Sequence, residues 1–245
     1  PIYYADINGM QMNASRPNLT FGIWWSWIGI VLALAYLVAL IAAAVSPNGF
    51  PPVEPYDTAI SIVCLLSAPA ILILFALVHA FASEERKLFS LIGLCFAVLF
   101  CAMTCINRFV HLAVIRPTVA LGKPAGLEWF LPYGSHSVMG AAEILAWSFF
   151  LGLAFTFTAF AFDKTSQERW LFWTCLVNGI LCLVSTLTPL TGIVLFTFLG
   201  IPAWGPGFIL FCALLIRLFK QQLLVLKTQN PVQPRQTLTE TGVGG

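Results

Sequence analysis

Long apolar runs decide the fold of this chain, and the third of them reads LFSLIGLCFAVLFCAMTCINRFVHLAVI, residues 88–115. A helix needs about 20 predominantly apolar residues to cross the hydrocarbon core of a bilayer, so this run is long enough. Near its end, Arg108 and His111 stand three residues apart, on one face of the expected helix. A charged side chain at that depth is costly and needs a partner. The rest of the sequence must supply it.

The composition places the whole chain, and not only this run, in a membrane. Hydrophobic residues make up 59% and charged residues 9% of its 245 residues, against about 25% charged residues in soluble domains. A soluble globule of this composition could not cover its surface with polar groups. The net charge of +2 is too small to indicate a nucleic-acid partner. The predicted partner is the lipid bilayer.

Six segments are predicted to cross the bilayer, which gives an all-α, polytopic helical bundle. Five are uninterrupted runs, whereas Pro189, Pro202 and Pro206 interrupt the stretch before the sixth. Because proline ends or kinks a helix, the sixth span is predicted to begin after Pro202. Residues 190–201 are then predicted to form a broken, interfacial or re-entrant segment. The predicted spans are 22–45, 58–82, 88–115, 136–161, 169–188 and 203–226.

Basic residues predict the orientation of the bundle. With six spans, nine lysine and arginine residues fall on the side of the N-terminus, called side A, whereas side B receives only Arg116 and Lys123. Since cytoplasmic loops carry the excess of such residues, both termini are predicted to be cytoplasmic, in a bacterial-type inner or plasma membrane. Residues 1–21 and 227–245 are predicted to be cytoplasmic tails around a transmembrane domain at 22–226, and the second tail to be disordered.

The partner predicted for Arg108 is Glu143, in the fourth span. Arg108 lies eight residues before Arg116, where the third span is predicted to end, and Glu143 lies eight residues after Ser135, just before the fourth. At 1.5 Å per residue, both would lie about 12 Å below the side-B surface. Two neighbouring antiparallel helices would thus place one cation and one anion at the same depth. A guanidinium and a carboxylate can bind each other there through two hydrogen bonds.

Four more residues are predicted to share a ligand-binding site with this pair, namely Asn107, His111, His136 and Asp57. Three interpretations of the site remain open. The ion pair can be packing that fixes the register of two helices. The polar residues can instead line a cavity that opens to side B and binds a ligand. The two histidines can also be ligands of a metal or haem, but two are too few for a closed zinc site. No metal is therefore assigned, and the cofactor stays unknown.

The sequence excludes several activities and leaves three classes of function. It contains no mid-span lysine for a retinal Schiff base, no P-loop, no dinucleotide fingerprint and no HExxH zinc motif. The first class is binding or transport of a small amphipathic or lipid-like molecule at the side-B site. The second is a non-catalytic structural subunit of a larger membrane complex or of a homo-oligomer. The third is an intramembrane enzyme that uses Glu143 or a histidine as acid or base. A non-enzymatic role is favoured.

Overall fold

Six long helices make up the architecture seen in the computed structural model. It describes residues 16–122, 125–131, 137–164, 168–193 and 195–229, and every regular element within these ranges is helical. Each of the six is long and apolar enough to cross a membrane, as expected of a multi-pass membrane protein. They are α1 (Pro17–Val45), α2 (Tyr56–Phe81), α3 (Glu84–Ala120), α4 (Val138–Ala159), α5 (Arg169–Thr191) and α6 (Leu195–Thr228).

The helices form a closed ring, and phenylalanines fill its centre. Each helix packs against its neighbours in sequence, and α6 packs back against α1. Phe75 of α2, Phe155 of α4 and Phe211 of α6 meet with ring centroids 5.2, 5.3 and 6.1 Å apart, and all three are buried. Aromatic pairs of this kind contribute about 0.5–1.5 kcal/mol each beyond the area they bury. Three alternate helices of the ring are therefore held together at its centre.

Helix α3 is longer than the sequence predicted at its side-B end. Its 37 residues correspond to about 55 Å at 1.5 Å per residue. The helix continues through a π-helical turn at His111–Ile115 and past Pro117 to Ala120. Pro117 is the second residue after the π turn, and the shifted register of the backbone hydrogen bonds there can absorb the donor that proline lacks.

The break before the last span was predicted in the wrong place. Helix α6 runs without interruption across Pro202 and Pro206. The predicted start of the sixth span at 203 and the separate segment at 190–201 are therefore wrong. A π-helical turn at Ala203–Gly207 contains Pro206. Because such a turn shifts the register of the backbone hydrogen bonds, it can absorb a donor that proline lacks.

The chain turns at Gly192 instead. This glycine has a φ of 71° and ends the preceding helix in the left-handed conformation, which glycine adopts at little cost. Beyond the turn, the first residues of α6 fold back along α5, and Thr197 Oγ1 donates a hydrogen bond to Thr188 Oγ1 at 2.9 Å. Helices α5 and α6 thus form a hairpin.

The two ends of the helical region differ slightly from the predicted tails. The first and last described residues, Arg16 and Gln229, are helical and lie inside the predicted N-terminal and C-terminal tails. The remaining residues of both tails, 1–15 and 230–245, lie outside the described part of the chain. The predicted disorder of the second tail stays a prediction.

Candidate functional site

An ion pair between α3 and α4 is the centre of a polar cluster near side B. Arg108 Nη2 of α3 donates a hydrogen bond to Glu143 Oε1 of α4 at 2.5 Å. The predicted pairing of these two residues is therefore confirmed. Arg108 is buried and Glu143 is partly buried, so each charge is the main compensation for the other in a medium of low dielectric constant.

Arg108 and Glu143 were expected to meet because each lies eight residues from the side-B end of its helix. The helix ends in the structure give a different reason. Ala120, the last residue of α3, lies 12 residues beyond Arg108, whereas Val138, the first residue of α4, lies five residues before Glu143. The two residues are therefore not equally far from the ends of their helices. They meet because α3 extends further toward side B than α4 does.

Asn107 holds the second oxygen of the carboxylate. Its Nδ2 donates to Glu143 Oε2 at 2.7 Å and to the backbone oxygen of Met139 at 3.2 Å. Both oxygens of Glu143 are thus occupied by donors from α3. The structure therefore brings Asn107 into the predicted site.

His111 connects the ion pair to α2. Its Nε2 lies 3.1 Å from Asp57 Oδ2, and its Nδ1 lies 2.9 Å from Ser61 Oγ. Ser61 Oγ also accepts a hydrogen bond from Arg108 Nη1 at 3.3 Å. A continuous series of polar contacts therefore runs from Asp57 on α2, through His111 and Arg108 on α3, to Glu143 on α4. Five of the six predicted residues belong to it, namely Asp57, Asn107, His111, Arg108 and Glu143.

Sequence reasoning missed Ser61, which joins the histidine to the arginine. Its spacing was the available signal, because a residue four positions after Asp57 lies on the same helix face. Ser67 in the same helix shows why that signal was weak. Its hydroxyl donates to the backbone oxygen of Val63 at 2.7 Å, as serines in apolar helices often do. The sequence alone does not distinguish the two serines.

Ser61, His111 and Asp57 contact one another in the sequence of a serine hydrolase triad. The serine oxygen, however, is not accessible to a substrate. Ser61 is fully buried, and its oxygen already accepts a hydrogen bond from Arg108. A nucleophilic serine must present its oxygen to a carbonyl carbon. Ser61 instead orients the His111 ring.

One carboxylate oxygen of the cluster is left without a donor. Asp57 Oδ1 is buried, and no group in the described part of the chain donates a hydrogen bond to it. A buried acceptor without a partner costs roughly 1–3 kcal/mol, and more when it is charged. This atom is therefore the place where the cluster would gain most from an added donor.

A second ion pair lies at the side-B rim of the cluster. Arg116 Nε donates to Glu54 Oε1 at 2.5 Å, and Thr58 Oγ1 lies 2.7 Å from both carboxylate oxygens. Burial raises the pKa of Glu54, but the hydrogen bonds from Thr58 and Arg116 outweigh burial, so its pKa lies below the ordinary value. This pair ties the start of α2 to the end of α3 at the surface.

Two π-helical turns flank the cluster. His111 opens the turn at His111–Ile115, and Glu143 lies two residues before the turn at Leu145–Phe150. Such turns are frequent at functional sites because they change the direction of side chains within a helix. Each turn adjusts the helix that carries one side of the polar contacts.

The remaining predicted residue, His136, lies outside the described residues, so its place in the site stays a prediction.

Among the described residues, no three His, Cys, Asp or Glu side chains lie close enough together to hold a metal ion. Cys101 and Cys105 lie one turn apart on α3, and their Sγ atoms are 4.0 Å apart. Both are free thiols.

The fold and the cluster define a class, which is an all-helical bundle of six apolar helices with a buried ion-paired site at one end. Comparison of the chain with protein-family models, with curated proteins and with solved structures finds no match. A proposal for function must therefore come from the geometry of the cluster.

Proposed function

We propose that the protein binds, or carries across the bilayer, a small amphipathic or lipid-like molecule at the cluster between α2, α3 and α4. The accessibility of the cluster is the observation that supports this. The side chains of Asp57 and Glu143 are 15% and 23% exposed, whereas those of Arg108 and His111 are 8% and 2% exposed. A polar head group can reach the two carboxylates while an apolar tail stays in hydrocarbon.

In this proposal both termini are cytoplasmic and the site opens to the opposite side. The support is the distribution of charge, since nine basic residues belong to side A and two to side B. A reporter fused after residue 245 tests the orientation. Activity of a reporter that works only outside the cytoplasm would reverse it.

The binding test uses dodecyl amphiphiles that differ only in the head group, namely dodecylammonium, dodecanol and dodecanoate. The purified protein in lipid nanodiscs is titrated with each, and its thermal stability is recorded. A ligand that binds only the folded state stabilises it, by about 2.7 kcal/mol at 100 times Kd. We expect at least one amphiphile to stabilise the wild type but not the triple variant Asp57→Asn, Arg108→Met and Glu143→Leu, which removes both carboxylates and the guanidinium and so leaves no bare charge.

A matched control removes the other ion pair on the same side. The double variant Glu54→Gln with Arg116→Gln should keep the response of the wild type, because this pair lies at the exposed rim. Equal responses of the wild type and the triple variant to all three amphiphiles would show that the buried cluster is structural only.

A second candidate function is that of a structural subunit, and helix α1 supports it. Only 17% of the most apolar stretch of α1 is buried, against 50% for α2. Seven of its nine exposed large apolar residues follow one another at alternating spacings of three and four, which is the pattern of a helix–helix seam. They are Trp24, Trp27, Val31, Leu34, Val38, Ile41 and Val45.

Cross-linking tests this second candidate, because lipid tails can cover such a face equally well. Cysteine at Val38 should form a disulfide between two copies in native membranes, while cysteine at Ala43, on the buried face of α1, should not. A monomer without cross-links at position 38 contradicts a homo-oligomer through α1.

A further inference from the structure

Among the residues that the structure describes, the buried cluster contains one more negative charge than positive charge when His111 is neutral. Asp57 and Glu143 are two carboxylates, and Arg108 is the one guanidinium among them. In a medium of low dielectric constant such an imbalance is costly, and a single positive charge would remove it. The cluster is thus built to receive one cationic charge.

Neighbouring groups in the described part of the chain do not supply that charge. Glu54 and Arg116 pair with each other at the rim and cancel. The buried thiol of Cys64 on α2 interacts electrostatically with Arg108 and Glu143 and can only add negative charge. The segment 132–136, with His136, lies outside the described residues.

The excess charge is located at Asp57. Both oxygens of Glu143 accept hydrogen bonds from α3. Asp57 contacts His111 through Oδ2, while its Oδ1 is buried and accepts no hydrogen bond from the described residues. The side chain of Asp57 is 15% exposed through atoms other than Oδ1. An added donor can therefore approach this carboxylate from outside, and it meets Oδ1 after a rotation of the side chain.

His111 can hold the missing positive charge without a change in the positions of its partners. In the neutral form with a proton on Nε2, the ring donates to Asp57 and accepts from the hydroxyl of Ser61. In the protonated form, both ring nitrogens donate, and the oxygen of Ser61 accepts from the ring as it does from Arg108. Both forms satisfy the same contacts.

We propose that this site holds one exchangeable positive charge, either a proton shared by His111 and Asp57 or the ammonium-type head group of an amphipathic ligand, and that the two exclude each other. This rests on the proposed function and names its ligand class as amphipathic organic cations. The exclusion follows because either charge neutralises Asp57, and a second one would restore an imbalance of the opposite sign. A site of this kind couples binding of the cation to release of a proton.

The experiment measures the affinity of the wild-type protein for dodecylammonium in nanodiscs of zwitterionic lipid between pH 5.5 and 8.5. The probe keeps its charge over this range, since a primary ammonium has a pKa near that of lysine, about 10.4. We expect its apparent Kd to rise as the pH falls, by up to tenfold per pH unit once the proton occupies the site. Dodecanol should bind less tightly, with a Kd that does not follow this pH dependence.

Variants separate the charge from the fold. Asp57→Asn keeps the shape and removes the charge, so it should abolish binding of dodecylammonium at every pH. His111→Gln should bind dodecylammonium but lose most of the pH dependence. Glu128→Gln is the control, because it removes a carboxylate on side B that lies in a loop outside the cluster, and it should behave as the wild type does.

The outcomes that overturn the inference differ from the one that overturns the proposed function. A Kd for dodecylammonium that is constant with pH, or equal binding of dodecanol and dodecylammonium, overturns the inference and leaves the binding site standing. Failure of all three amphiphiles to bind the wild type at any pH overturns both. The pH series on the wild type needs no variant, so it decides the question even if Asp57→Asn fails to fold.

Discussion

The polar cluster near side B and the phenylalanine cluster at the centre of the ring join helices in opposite ways. Phe75, Phe155 and Phe211 touch through ring faces and edges, and such contacts tolerate small shifts. Arg108 and Glu143 touch through directed hydrogen bonds, which hold only at one register. Because lipid is as apolar as phenylalanine, the aromatic contacts act mainly by packing. The aromatic contacts therefore determine how closely the helices pack at the centre of the ring. The ion pair determines the register of α3 against α4 near side B.

The largest expected effect comes from removing one partner of the buried ion pair. Glu143→Ala leaves the Arg108 guanidinium without its carboxylate and should lower the free energy of unfolding by about 3–5 kcal/mol. Steric trapping or reversible unfolding in mixed micelles measures it. The double variant Arg108→Met with Glu143→Leu should lose much less, since no bare charge remains. A double variant as unstable as Glu143→Ala would mean that the cluster stabilises through more than charge compensation.

A smaller effect is expected at the aromatic centre. Phe155→Ala should cost about 2 kcal/mol, since a cavity of ~100 Å³ costs about 24 cal/mol per Å³. No transfer from water is lost, because the unfolded helix remains in lipid. The variant should bind dodecylammonium as the wild type does. Phe198→Ala, at an exposed position on α6, is the control and should cost little. A loss of binding in Phe155→Ala would show that the two regions are coupled.

The smallest effect is expected at the rim pair of Glu54 and Arg116. The pKa of Glu54 is lower in the folded protein than its ordinary value of 4.5, so the pair contributes stability above that pH and loses it as the pH falls through the lowered pKa. At an exposed position the contribution is at most about 1 kcal/mol. The difference in Tm between the wild type and Glu54→Gln should therefore be small at pH 7 and vanish once the pH is below the lowered pKa. A difference that grows with acid contradicts the assigned sign.

The spans could be predicted from the sequence because each apolar run is long and few charges interrupt it. The position of the break could not be predicted. A proline is found both where a helix breaks and where a π turn lets the helix continue, so Pro202 and Pro206 do not distinguish the two structures. The choice depends on packing along α5, which a local pattern does not contain. Gly192 was the better signal, since a left-handed helix end favours glycine.

Part of the site could also be predicted. Arg108 and Glu143 are rare charged residues in apolar runs, and each needs a partner of the opposite sign. Asp57 and His111 were assigned to the site, but their direct contact was not foreseen. Ser61 was not recognised at all, because a hydroxyl in an apolar helix can be satisfied by its own backbone.

The length of α3 has a consequence for the way the protein fits its bilayer. A straight helix of about 55 Å would need a tilt of nearly 60° to fit a core of about 30 Å, and transmembrane helices tilt by about 0–40°. Part of α3 must therefore leave the hydrocarbon. Its last segment, Arg116–Ala120, is suited to the head-group layer because Arg116 is charged and partly exposed. In a bilayer, the thickness of the hydrocarbon core would then determine how deep the side-B carboxylates lie.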